Sequence, residues 1–123
     1  MKLLLLGLSG AAGTLCRYGL ARAGQHWFAS FAIGTLLANL LGCLLFGLIW
    51  ELSQEHGLLP LEYRLVLLTG FMGAFTTFST WIFDSRTMLL EGQLLAGLGN
   101  LVGQSVAGLL LFVLGIWLAR GLA

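Results

Sequence analysis

An uncharged run, 65–83, combines membrane-spanning length with a polar centre. The middle of this run, 70–81, reads Gly-Phe-Met-Gly-Ala-Phe-Thr-Thr-Phe-Ser-Thr-Trp. Glycines and consecutive threonines favour a local break in a helix. Broken main chain at membrane depth is stable only where protein or a water-filled cavity receives it. We therefore expect a broken third helix, with uncoiled main chain around Gly73, at the centre of an ion pathway.

The composition indicates an integral membrane protein. Of the 123 residues, 59% are hydrophobic and 9% are charged, against about 25% charged in soluble domains. A helix needs about 20 apolar residues to cross a bilayer, and this predicts four spans, at 3–21, 31–50, 65–83 and 94–119. We expect an all-α single transmembrane domain over 1–123. The leucines after Lys2 resemble a secretory signal, but no convincing cleavage site follows and three more spans do.

Several function classes are disfavoured by the residues. A net charge of +1 without a basic cluster argues against nucleic acid as a partner, because phosphate binding needs clustered cations. Cys16 and Cys43 fall within predicted spans without metal-ligand spacing or a nucleophilic partner, and we interpret them as packing residues. Neither histidine has ligand partners nearby in the sequence. We expect no enzymatic activity.

The connection between the second and third predicted spans, 51–62, is the most polar stretch of the chain. It contains Glu51, Glu55, His56 and Glu62, to which we assign a solvated role. Asp84 and Glu51 mark the ends of spans, so no carboxylate is expected at mid-membrane. Proton-coupled transporters generally place a carboxylate or histidine there, and passive conduction fits this chain better.

The positive charges show no bias between the two sides of the membrane. Cations in short loops normally stay cytoplasmic and set the orientation. Here three fall on each side: Lys2, Arg64 and Arg120 against Arg17, Arg22 and Arg86. A chain without a bias inserts both ways, which predicts an antiparallel, dual-topology homodimer. Such a dimer contains the inverted repeat that larger transporters encode in one chain.

Glycines recur at helical spacing in three spans. Small residues let helices approach closely in lipid. We expect helix contacts at Gly7, Gly10, Gly13, Gly42, Gly47, Gly99 and Gly103.

Four hydroxyls in five positions follow Gly70 and Gly73: Thr76, Thr77, Ser79 and Thr80. Hydroxyls in membrane helices often bond the carbonyl one turn back, which would explain one or two of them. The cluster favours freed carbonyls instead, and unwound transporter helices use such carbonyls to hold sodium.

Several polar and aromatic side chains within the spans each allow two interpretations. Asn39 and Gln104 are either clasps between helices or amide donors to an anion, and Asn100 and Ser105 lie close to Gln104. The rings of Phe78 and Trp81 either pack in the core or present their positive edges to an anion. Arg17 either reaches toward headgroups or faces a polar interior.

Three motifs resemble those of the CrcB family of fluoride channels, also called Fluc. They are Gly10-x-x-Gly13-x-x-x-Arg17-Tyr18, Gly34-Thr35-x-x-x-Asn39-x-x-Gly42, and Thr69-Gly70-x-x-Gly73-x-x-Thr76-Thr77-Phe78-Ser79-Thr80. The third motif is the most specific. The resemblance covers nearly the whole chain.

The resemblance implies a dual-topology homodimer in the bacterial inner membrane. It implies one structural, non-transported sodium ion at the dimer centre, held by the backbone carbonyls of Gly73 and Thr76. Two fluoride pathways would each be lined by Phe78 and Trp81, with Asn39 as a polar contact and Arg17 near an aqueous entrance. Trp81 departs from the usual phenylalanine. The fourth-helix track reads Gln104, Gly108 and Phe112, where only Gln104 keeps the family's polar character.

The sequence therefore predicts a fluoride-selective passive channel that exports cytoplasmic fluoride. Residues assigned to its ion pathway are Phe78, Trp81, Asn39, Gln104, Thr77, Ser79 and Thr80. One alternative is a small proton-coupled multidrug exporter, which needs a carboxylate that the first span lacks. Another is a non-transporting subunit of a larger membrane complex.

Overall fold

The computed structural model describes residues 1–54 and 57–122, without the side chain of Phe31. Glu55 and His56, expected to be solvated, lie outside the described residues. Among the described residues, four helices are long and apolar enough to cross a membrane, which confirms the predicted all-α membrane architecture. The helices are longer than the predicted spans, because helical structure continues into the polar flanks.

The first two helices are continuous. Helix α1 covers Lys2–Phe28 and α2 covers Phe31–Gln54. Between them Ala29 adopts a left-handed conformation, with φ of 53°, and the N–H of Ser30 bonds the carbonyl of Gly24. Such a bond across a left-handed residue satisfies the last carbonyls of a helix and ends it.

The third span consists of several pieces. It begins with α3 (Leu61–Leu65), a π-helical segment (Val66–Met72) and the short α4 (Gly73–Phe75). After two non-helical residues it continues as α5 (Phe78–Leu90), and the fourth span is α6 (Leu94–Leu122). A π-helical turn is rare and occurs often at functional sites.

Close helix contacts depend on glycines. A Cβ added at Gly47 would lie 2.1 Å from the carbonyl oxygen of Phe112, and one added at Gly115 would lie 2.1 Å from that of Leu44. These glycines let α2 and α6 pack backbone to backbone. A Cβ at Gly13 would lie 2.3 Å from the carbonyl oxygen of Phe71, so α1 approaches the π-helical segment equally closely.

The expectation of helix contacts is met at some glycines and not at others. Gly42 packs against the methyl group of Thr76, and Gly10 lies near the carbonyl of Gly70. Within the part of the chain that the structure describes, no atom of another element lies within 4 Å of a Cβ added at Gly7, Gly99 or Gly103. For these three the predicted contact is wrong within a single chain.

One end of the helices carries two ion pairs. Lys2 pairs with Glu62 at 2.5 Å, and Arg120 pairs with Glu51 at 2.6 Å. Glu51 is only 5% exposed, so its predicted solvated role is wrong. It is buried because α2 continues to Gln54 and the end of α6 packs beside it.

Candidate functional site: a groove at the broken helix

The third span is interrupted at Thr76 and Thr77. Thr76 has φ −90° and ψ 156°, and Thr77 has φ −148° and ψ 119°, so both residues are extended. Gly73 is helical, with φ −62° and ψ −29°. The expectation that the main chain is uncoiled around Gly73 is therefore wrong by three residues.

Asn39 of α2 holds the extended main chain in place. The N–H of Thr77 donates to Asn39 Oδ1 at 2.8 Å, and Asn39 Nδ2 donates to the carbonyl of Thr77 at 3.1 Å. Buried main-chain groups that lose their helical partners must find others. One asparagine supplies both partners here, so Asn39 acts as a clasp between helices, the first of its two interpretations.

The hydroxyl of Thr77 caps the N-terminus of α5. Its Oγ1 accepts the N–H of Thr80 at 3.3 Å, as an N-cap side chain does. Ser79 and Thr80 bond this same hydroxyl, so these hydroxyls support the start of the helix. The hydroxyl of Thr76 donates to the carbonyl of Met72 at 2.9 Å, the local return to the preceding turn.

The break releases carbonyls of the preceding turn. Thr77 N–H bonds Asn39 instead of the carbonyl of Gly73, its partner in a continuous helix. The carbonyl of Ala74 accepts a hydrogen bond from Arg17 Nε at 3.1 Å. Arg17 thus faces the protein interior, and its charge lies at the negative end of the first half of the span.

A groove of about 430 Å³, open on one side, lies between α2, the break, α5 and α6. Its lining combines amides, hydroxyls, a thiol and aromatic rings, and contains no carboxylate. The lining residues are Asn39, Gly42, Cys43, Phe46, Thr76, Thr77, Phe78, Trp81, Gln104, Ser105, Gly108, Leu109 and Phe112.

The predicted pathway residues divide between the groove and its supports. Five of them line it together: Asn39, Thr77, Phe78, Trp81 and Gln104. Ser79, Thr80 and Arg17 are not among the lining residues and contact the break instead. Gly108 and Phe112 follow Gln104 along the groove at one-turn intervals, as the expected α6 track does.

The two groove rings are arranged edge to face. The ring centroids of Phe78 and Trp81 are 5.3 Å apart and their planes are inclined by 74°. The indole N–H of Trp81 donates to the carbonyl of Asn100 at 2.9 Å. The tryptophan ring is therefore fixed to α6, whereas Phe78 is 72% exposed on the open side of the chain.

A chain of hydrogen bonds links α6 to the break. Gln104 accepts from Asn39 at 2.5 Å and donates to Asn100 Oδ1 at 3.1 Å. Asn100 donates to Ser85 Oγ at 2.8 Å, and Ser85 donates to the carbonyl of Trp81 at 2.8 Å. Ser85 is 1% exposed. Sequence reasoning missed Ser85, and its spacing of four residues from Trp81 was the available signal.

Three further residues differ from expectation. Asp84 was expected to mark the end of the third span, and it lies inside α5, which continues to Leu90. Its side chain bonds Thr35. Cys43 lines the groove beside Gly108, which sequence reasoning did not predict. Cys16 is exposed on the outside of the chain, so it does not pack within a single chain.

Comparison with known proteins identifies the family. A family profile described as "CrcB-like protein, Camphor Resistance (CrcB)" matches residues 4–116. The chain belongs to the CrcB family. It is 48% identical to the "Fluoride-specific ion channel FluC" of Maridesulfovibrio salexigens, over 97% of this chain and 95% of that protein.

Other relatives of the CrcB chain carry the same description. Those of Solidesulfovibrio magneticus and Nitrosococcus oceani are 49% and 45% identical, each over 97% of this chain and 96% of the relative. The predicted family membership is confirmed, as is the expectation that the chain is not an enzyme. With four helices able to span a bilayer, the chain is a multi-pass membrane protein.

Proposed function

We propose that this chain forms a fluoride-selective passive channel. The observation that carries the proposal is its identity of 48% over nearly its full length with a relative named as a fluoride-specific ion channel. The groove supplies an independent argument, because it brings amides, hydroxyls and ring edges together without an acidic side chain. A negatively charged lining would repel an anion.

The electrostatics of the groove favour a small anion. Helix α5 begins at Phe78 beside the groove, and the start of a helix carries partial positive charge. Phe78 and Trp81 present aromatic edges, which are also partly positive. These weak, distributed attractions suit conduction, because a channel must release what it binds.

A second, inverted copy of the chain completes the pathway in this proposal. Three observations support it. The groove is open on one side. The aromatic ring of Phe78 is largely exposed in a single chain. The positive charges of the sequence divide equally between the two sides of the membrane. A lone chain would expose the groove to lipid, where its polar groups are costly.

A structural sodium ion at the centre of the dimer belongs to the same proposal. The carbonyl of Gly73 loses its helical donor at the break, and Thr76 is extended. Each chain would supply two oxygens, from Gly73 and Thr76, and two chains would supply four. Unwound main chain provides such ligands for hard cations. The bound ion would neutralise the partial negative charge at the end of the first half of each third span.

The alternatives receive less support. A proton-coupled drug exporter needs a carboxylate in the first helix, and α1 (Lys2–Phe28) contains no aspartate or glutamate. A non-transporting subunit would need a larger partner. Purification of the chain as a stable homodimer without other proteins would argue against that alternative.

Export follows from passive conduction in a bacterial inner membrane. Fluoride enters from acidic surroundings as the weak acid and is trapped as the anion at cytoplasmic pH. A fluoride-selective path then lets the anion leave down its gradient, without coupling to protons. Neither a transported cation nor a conformational cycle is needed.

The purified chain in liposomes tests the function. Vesicles loaded with potassium fluoride or potassium chloride, plus valinomycin to carry the counter-ion, are followed with ion-selective electrodes. We expect rapid fluoride efflux and chloride efflux near that of protein-free vesicles. Absence of fluoride efflux, or equal efflux of the two anions, contradicts the proposal.

A further inference from the structure

Three hydrogen bonds join Trp81, Ser85 and Asn100 in a closed cycle. The indole N–H of Trp81 donates to the carbonyl of Asn100 at 2.9 Å. Asn100 Nδ2 donates to Ser85 Oγ at 2.8 Å, and that hydroxyl donates to the carbonyl of Trp81 at 2.8 Å. Since Trp81 lines the groove, this hydrogen-bond cycle connects α5 to α6 directly behind the groove's aromatic wall.

The hydroxyl of Ser85 uses both its hydrogen and its oxygen in this cycle. It carries one hydrogen, which it gives to the carbonyl of Trp81, and its oxygen accepts from the amide of Asn100. Ser85 is 1% exposed, so water does not replace a lost partner at this site. Removal of the hydroxyl therefore leaves the amide of Asn100 without its bond to α5.

The two helices approach each other closely at Ser85. A Cβ added at Gly97 of α6 would lie 3.2 Å from the carbonyl oxygen of Ser85 and 2.6 Å from Leu89 Cδ2. Gly97 is buried, and Asn100 follows it by three residues along α6. The bond between Ser85 and Asn100 is thus part of a tight contact between α5 and α6.

Trp81 is the fixed member of the aromatic pair in the groove. Its N–H edge is bonded to α6, so the carbon edges and the faces of the indole remain for the groove and for Phe78. The ring of Phe78 is inclined by 74° to the indole and is largely exposed. Because the partial positive charge of an aromatic ring lies at its edge, the direction in which the indole points decides what it offers an anion.

We propose that Ser85 is a positioning residue for conduction. By holding Asn100 against α5, it fixes the indole hydrogen bond of Trp81 and thereby the direction of the indole edge in the groove. Ser85 and Asn100 are not among the groove-lining residues, so Ser85 acts through Trp81 and does not touch the anion. The inference rests on the proposed function and deepens it by naming a residue outside the groove.

Indole NMR tests the positioning without any measurement of conduction. The chain contains four tryptophans, so ¹⁵N labelling of tryptophan gives four indole N–H signals, and Trp81→Phe identifies the signal of Trp81. We expect Ser85→Ala to shift this signal and to speed its exchange with deuterated water, while the other three signals stay in place. A Trp81 signal that is unchanged in Ser85→Ala overturns the proposal.

Fluoride efflux from liposomes in two backgrounds tests the role in conduction. We expect Ser85→Ala to lower efflux about fivefold, the factor by which the loss of one hydrogen bond changes an equilibrium between ring orientations. In Trp81→Phe the indole bond is already absent, so adding Ser85→Ala should lower efflux no further. Wild-type efflux in Ser85→Ala overturns the proposal. An equal fold-loss in both backgrounds shows a purely structural role and also overturns it.

Thr87→Ala is the matched control. The hydroxyl of Thr87 also donates to a carbonyl one turn back on α5, that of Phe83 at 3.0 Å, and this bond is exposed. Its removal should change neither the Trp81 signal nor efflux, and an effect equal to that of Ser85→Ala overturns the proposal.

A second variant keeps the proposal testable if Ser85→Ala does not fold. Ser85→Cys has nearly the same volume, and its thiol is a weak donor and a weak acceptor, so the same shift and the same loss of efflux are expected. A wild-type protein without fluoride efflux refutes the proposed function, whereas the indole signals still test the positioning. The two failures are therefore distinct.

Discussion

Asn39 bonds both main-chain polar groups of Thr77, accepting from its N–H at 2.8 Å and donating to its carbonyl at 3.1 Å. A side chain of the second span thereby replaces the helical partners that the third span gives up. The break is thus a property of two helices together, and it is stabilised by a residue 38 positions earlier in the chain.

Asn39→Leu removes this pairing and leaves the N–H and the carbonyl of Thr77 without their side-chain partner. We expect the chain to lose about 2 kcal/mol of stability, since each such bond contributes roughly 1 kcal/mol in a membrane protein. Thermal unfolding in detergent measures the loss, and fluoride efflux should fall with it. Gln25→Leu, which removes an exposed amide from α1, is the control. Equal stability of the two variants would refute the claim that Asn39 stabilises the break.

Phe78→Ile should abolish fluoride efflux while the chain still assembles. Isoleucine keeps most of the apolar volume but has no aromatic edge to offer an anion. Efflux from liposomes and size-exclusion chromatography give the two readouts. Phe83→Ile is the matched control, because Phe83 lies on the same helix, is 64% exposed and is not part of the groove lining. Wild-type efflux in Phe78→Ile would remove this ring from the pathway.

Trp81→Phe removes the indole N–H that donates to the carbonyl of Asn100 and retains an aromatic ring. We expect a stability loss of about 1 kcal/mol for the missing bond and fluoride efflux that persists at a changed rate. Trp81→Ala, which removes the ring as well, should lose efflux. If both variants conduct like wild type, the ring at this position does not contribute to conduction.

The sequence predicted much of the fold because apolar run length and charge are local properties. Four spans and an interruption near the threonines follow from such runs. The position of the interruption does not, because it depends on Asn39, which is distant in sequence. Gly73 is a weak helix former but is helical in the structure, whereas the N–H of Thr77 leaves the helix to bond Asn39 of α2.

The candidate site was also predicted in part. Five of the proposed pathway residues line one groove, because their polar or aromatic character stood out within apolar runs. The burial of Glu51 was not predictable from its polarity, since it depends on Arg120 from the opposite end of the chain. The roles of Ser79 and Thr80 depend on which of the neighbouring hydroxyls caps α5, and the sequence alone does not decide between them.

Gly73→Ala separates folding of one chain from assembly of two. Apart from its chain neighbours and the adjacent turns of its own helix, the nearest described atom to a Cβ at this position would be the carbonyl oxygen of Leu68, at 3.9 Å. Alanine favours a helix by about 1 kcal/mol over glycine. We expect the chain to keep its helical content, while dimer formation and efflux decline because Gly73 would adjoin the second copy.

Gly7→Ala is the control for this substitution. Gly7 also lies in a helix with open space around it, and its replacement should change neither assembly nor efflux. A Gly73→Ala protein that dimerises and conducts like the Gly7→Ala protein would place Gly73 away from the subunit contact.

An experimental structure of the purified protein in a lipid nanodisc, determined with sodium present, most directly tests the claim of an inverted dimer around a cation. We expect two chains of opposite orientation, each closing the open side of the other's groove, with a cation between the carbonyls of Gly73 and Thr76. A parallel pair of chains, or a groove that faces lipid in a single chain, would contradict the account.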